Sequence, residues 1–221
     1  MLKDLLQKIQ GLSSGGRVLF DPSVLNDPLA LRTEWTPAKG GGASFRTHKL
    51  VEIHPDRLEF KASLVAKMFY LIFFLAGLGI LIGFLFPLFT AEMPAFNFEL
   101  IIPLIVGLVF ASLGGIMLYF GTQPVVFDRR KGFFWKGRTA PDEVLRQERL
   151  KFFAKIDQVH AIQLLSEYCR GNKSSFYSYE INLVLENGRR INVVDHGNAA
   201  KIRQDAETIA AFLKKPVWDA I

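Results

Sequence analysis

Hydrophobic residues follow three patterns along this chain, and each predicts a different kind of element. Two uninterrupted blocks, 68–89 (MFYLIFFLAGLGILIGFLFPLF) and 100–120 (LIIPLIVGLVFASLGGIMLYF), run 22 and 21 residues without a charge. At about 1.5 Å rise per residue each makes a helix of roughly 30 Å, the thickness of a bilayer's hydrocarbon core. Backbone groups find no water at that depth, so helix is the expected conformation. The spacing predicts a two-helix transmembrane hairpin over 63–121. Elsewhere, short alternating runs bounded by turn residues predict seven strands, at 45–53, 58–61, 124–127, 133–136, 159–168, 176–185 and 190–194. The Asn187-Gly188 pair is the strongest hairpin signal among them. A 3.6-residue period returns at the end of the chain. Ile202, Ala206, Ile209 and Leu213 share one face behind an Asn198 N-cap and ahead of Pro216, which predicts a closing helix. At the start, Leu2, Leu5, Leu6, Ile9 and Leu12 predict a short amphipathic helix. The Gly-, Pro- and Asp-rich stretch after it, to Ala43, predicts a loop-rich arm with a short strand near 31–35.

In order, these are two strands, the hairpin, five strands and a C-terminal helix. Seven antiparallel strands closed by one helix is the element order of a pleckstrin-homology domain, and over roughly 44–214 the chain resembles a bacterial PH-like integral membrane protein whose hairpin follows its second strand. The expected fold is therefore membrane α+β, with the hairpin inserted into a seven-stranded antiparallel PH-like sheet. The organisation is an N-terminal helix and arm (1–43), a first strand pair (44–62), the hairpin (63–121) and the rest of the β module (122–221). An isolated strand pair is marginal in water, so 44–62 is expected to join the later strands across the hairpin's closely spaced ends. PH-like sheets serve many functions, and the resemblance assigns no activity.

Composition agrees with a membrane protein. Half of the 221 residues are apolar, 20 are Phe, and the net charge is +6. The linker between the spans carries Glu92 and Glu99 and no Lys or Arg, whereas Lys61 and Lys67 precede the first span and Arg129, Arg130, Lys131, Lys136 and Arg138 follow the second. The positive-inside rule then places both termini in the cytoplasm, and the resemblance implies a multi-pass protein of the bacterial inner (plasma) membrane. Neither span holds a charged residue, which weakens a transporter or pump reading.

Candidate chemistry is sparse. Gly79 and Gly83 in the first span, and Gly107, Ala111 and Gly115 in the second, recur every four residues and predict a helix-packing seam within the chain, or a homodimer face. The basic cluster Arg129, Arg130, Lys131, Lys136 and Arg138, interleaved with Phe133, Phe134 and Trp135, sets topology and is the candidate membrane-surface site for anionic lipid. Asp195-His196 beside a helix start could support base chemistry, but neighbouring strand residues point to opposite faces and the composition suits a turn. Cys169 is the one cysteine, which excludes an intramolecular disulfide, and it reads as a small core residue. No Walker loop, HExxH or GxSxG is present. The expectation is a non-enzymatic adapter or assembly protein without cofactor, which binds the bilayer and a protein partner but no nucleic acid. An anionic-lipid headgroup sensor is the first alternative. A membrane-bound hydrolase or metal enzyme around Asp195, His196 and Cys169 is the second.

Overall fold

A computed structural model of the chain describes residues 20–90, 101–144, 150, 152–171 and 174–221. The expected N-terminal amphipathic helix and the linker 91–99 lie outside the described residues.

All seven segments with the alternating pattern are strands, but they do not form one sheet. Strands β1 (His48–His54), β2 (Arg57–Ala62), β3 (Val125–Asp128) and β4 (Phe133–Lys136) pair in that order, and a short β5 (Phe153–Lys155) adds to β4. The second sheet contains β6 (Val159–Arg170), β7 (Ser175–Leu185) and β8 (Arg190–His196), with β9 (Val217–Ala220) on the far side of β6. The expected count of seven antiparallel strands is thus corrected to nine among the described residues, in sheets of five and four, with β9 parallel to β6. Nor does the C-terminal helix, Ala199–Leu213, close the chain. Lys214 adopts a left-handed conformation, and the residues after Pro216 turn back to lie along Ile162–Leu165.

The two inner faces meet in one core. Leu58, Phe60, Phe127 and Phe134 from the first sheet pack with Ile162, Leu164, Ile181 and Leu183 from the second. Ile202 and Ile209 of the C-terminal helix complete that cluster, as their spacing predicts. Each such side chain contributes about 1.5–3 kcal/mol by leaving water. The arm covers the outer face of the second sheet, where Leu29 and Ala30 pack with Ala161, Val184 and Trp218, and Trp35 packs against them. No strand forms at 31–35. Instead Thr33 N donates to Leu29 O at 2.9 Å and the Trp35 indole to Ala30 O at 2.9 Å, so the segment coils into turns.

The two long helices, α1 (Leu64–Thr90) and α2 (Ile101–Gly121), are long and apolar enough to cross a membrane. Most of their side chains face outward, Ile72, Ile82, Ile102 and Phe120 each by more than 60 %. Among the described side chains the buried positions of the pair are Ala66, Tyr70 and Gly77 on α1 and Gly107 and Gly114 on α2, and the contact line between the helices runs through Tyr70, Gly77, Gly107 and Gly114. A methyl group at Gly77 would collide with the Ala111 backbone, and one at Gly114 with the Phe74 backbone. The structure brings Gly107 and Ala111 into this line and sets Gly115 beside the Phe74 ring. Gly79 and Gly83 face open space.

Helices and sheet join almost without a linker. Ser63, the residue between β2 and α1, is buried; its hydroxyl accepts from Ala66 N at 3.1 Å, and its own N–H donates to Thr47 O at 2.7 Å. Three residues separate α2 from β3. Strands β2 and β3 then pair directly, Phe60 opposite Val125.

Candidate functional site

At the end of the β module nearest the helices, the space between the two sheets opens into a cavity of about 500 Å³. Strand alternation determines what lines it. On β4, Phe134 faces the core, so Lys136, two residues on, faces inward as well, at the open end of the sheet. His48 opens β1 at the same level, opposite Ala62. Tyr70 and Gly121 close the side toward the helices. On β8 a register shift leaves Val193 unpaired between Asn192, opposite Asn182, and Val194, opposite Ile181. This extra residue restores Asn192 and Asp195 to one face, and the Asn192 amide donates to Asp195 at 2.7 Å.

The polar groups form one linked set. Lys136 Nζ donates to Asn192 Oδ1 at 3.1 Å and stands 5.0 Å from the centre of the Phe152 ring. Burial, offset in part by Asp195, holds the Lys136 ammonium down to about 8. Burial, with Lys136, His196 and Lys39 nearby, holds His48 down to about 4, so it is neutral at pH 7. Burial pushes Asp195 and Glu180 up. Two glutamates fasten the arm as the lip of the cavity. Glu180 accepts from Ala38 N at 2.7 Å and Lys39 N at 3.4 Å, and Glu167 accepts from Gly41 N and Gly42 N at 3.2 and 3.3 Å. Lys39 stands at the mouth, 66 % exposed and 4.0 Å from Asp195.

The basic cluster does not stay together. Arg129, Arg130 and Lys131 occupy the β3–β4 turn, a full strand away from the helix ends, which is at least about 13 Å at 3.3 Å per residue. Each has an acidic neighbour there. Arg129 and Arg130 pair with Asp56 at 3.6 and 2.8 Å, and Lys131 pairs with Asp142 at 2.8 Å. Arg129 also stacks over Phe212, 4.3 Å from the ring centre. Lys136 is inside the cavity, and Arg138 reaches back to the end of α2, where it donates to Thr122 Oγ1 at 3.1 Å and lies over the Tyr119 ring.

The histidines are equally dispersed. Asp195 faces the cavity while His196 is buried on the other side, 3.6 Å from Asp205, which itself holds Arg46 through two hydrogen bonds of 2.9 and 2.7 Å. Cys169 pairs with Phe176 near the tip of the β6–β7 ribbon, three positions beyond Ser166, whose partner Tyr179 sits opposite His196. Among the described residues no group of three His, Cys, Asp or Glu side chains could hold a metal ion. Of the cavity residues, the sequence singled out only Lys136 and Asp195 as candidates. Lys136 in period-two step with Phe134 was the readable sign of an inward-facing lysine; the convergence of Lys39, His48 and Asn192 left no local trace. Comparison of the chain with known protein families, curated proteins and solved structures finds no match.

Proposed function

We propose that this is a non-enzymatic adapter of the bacterial inner membrane, whose cytoplasmic PH-like β module takes a strand of a protein partner on the β1 edge of its first sheet, which is unpaired among the described residues. The observation behind this reading is β1, a seven-residue edge strand. Its Val51 and Ile53 are 40 % and 44 % exposed, an apolar pair on an edge that would otherwise be protected from other chains. A photoreactive residue at Val51 should crosslink one discrete polypeptide in native membranes, and Val51→Lys with Ile53→Lys should abolish capture of the same protein. Capture of lipid alone from Val51 would overturn the reading. The hairpin would hold this edge at the membrane surface with both termini in the cytoplasm, so a reporter fused after Ile221 should be active only in that compartment. Headgroup sensing by Arg129–Arg138 draws less support, because three of its five charges are paired a strand away from the helix ends. A screening length of about 8 Å leaves such charges little reach toward lipid.

A further inference from the structure

We infer that the cavity between the helix ends and the β module binds the anionic phosphate headgroup of a leaflet lipid, with Lys136 at its base and Lys39 at its mouth. The inference goes beyond partner binding and rests on the reading of α1 and α2 as membrane spans.

Four observations converge on it. The first is position: Tyr70 of α1 and Phe120 and Gly121 of α2 form the wall toward the helices, so the cavity opens where a spanning hairpin leaves the hydrocarbon. The second is charge. Asp195 already accepts from Asn192 and has Lys39 beside it, and Glu180 is occupied by the amides of Ala38 and Lys39 and by Asn182. His48 is neutral at pH 7. Lys136 donates to a neutral amide oxygen and faces an aromatic ring, with Asp195 and Glu180 acting on it only from beyond ion-pair distance, although an ammonium has three donors to place. The third is the cost of that arrangement: burial, with Lys39 nearby, lowers the ammonium toward neutrality more than Asp195 and Glu180 restore it, and an anion beside it would complete that restoration. The fourth is the wall itself, since Phe120, Phe152 and Tyr70 suit a glycerol backbone and acyl carbons better than a free, fully hydrated anion.

The test uses the full chain in lipid nanodiscs and reads acylation of individual lysines by an amine-reactive ester near pH 8, with the exposed Lys201 as internal reference. Nanodiscs containing phosphatidylglycerol should lower Lys136 modification at least several-fold relative to phosphatidylcholine alone, and Lys39→Ala should reduce that protection. Lys136→Arg should retain phosphatidylglycerol through purification and Lys136→Met should lose it. Glycerol 3-phosphate in solution should protect little. Equal Lys136 modification in the two lipid compositions overturns the inference alone, as does protection by glycerol 3-phosphate matching that by lipid. Failure of the chain to enter nanodiscs removes the membrane reading and this inference together.

Discussion

His48 sits on the inner face of the first sheet beside Lys136 and Lys39, and its imidazole is neutral when the protein is folded. Because its folded value lies near 4 against 6.5 when exposed, the unfolded chain binds the extra proton first. Stability should therefore fall as pH drops from about 6.5 toward 4, by up to about 3 kcal/mol from this group. His48→Gln should flatten the slope of melting temperature over that range. His160 carries the opposite sign. Despite partial burial, Asp27 at 2.7 Å and Glu186 at 3.0 Å raise its value, so its contribution is present at acid pH and lost as pH rises above neutrality. His160→Gln should weaken the protein more at pH 6 than at pH 8, by about 1 kcal/mol or less for so open a site. The Arg46–Asp205 pair is more enclosed. Asp205→Asn leaves a guanidinium and an imidazole without their carboxylate, and calorimetry should show a loss of about 2–4 kcal/mol at neutral pH.

Helices and strands differ in how far their partners can be read from the chain. In the hairpin, Gly77→Leu should drive α1 off the Ala111 backbone and lower the melting temperature in detergent, at a cost of about 1–3 kcal/mol. A Cβ at Gly79 or Gly83 meets none of the described residues within 4 Å, so Gly79→Leu and Gly83→Leu should leave the melting temperature unchanged or slightly raised. An equal loss at all three would mean that a second copy covers the other face. Gly79 and Gly83 satisfy the four-residue rule and Gly77 does not, yet the rotation of one helix against the other puts Gly77 at the contact. The seven strands read from the sequence announce themselves by apolar runs and flanking turns. Strands β5 and β9, of three and four residues, carry no such turn-bounded run and exist because a neighbour offers an edge. For β9 the decisive residue is Trp218, 2 % exposed and 5.8 Å from Trp35. Trp218→Ala should cost about 3–5 kcal/mol and loosen the arm, which limited proteolysis near Leu25 would report. Cavity and basic cluster were hidden for a related reason: a strand carries residues that are neighbours in sequence to opposite ends of a sheet, while lysine and aspartate from distant segments meet.

At the scale of the whole molecule, the hairpin divides the β module in sequence without dividing it in space. Leu58 and Phe60 are core residues of a strand that lies between β1 and β3. Residues 122–221 alone should therefore aggregate, since β3 would present a bare apolar edge to water. A chain in which residues 64–121 are replaced by a short Gly/Ser linker should stay soluble and unfold in one cooperative step by circular dichroism. Equal cooperativity in both would show that β1 and β2 are dispensable to the core. The buried Ser63 gives the intact molecule a mechanical property. With its hydroxyl in the first turn of α1 and its amide tied to Thr47, it leaves no swivel between helix and sheet. If α1 and α2 span a bilayer as proposed, a change in its thickness that tilts α1 against α2 reappears as shear between β2 and β3. The hairpin would then be a lever with its long arm in lipid, its short arm moving the rim of the cavity that His48 and Lys136 line.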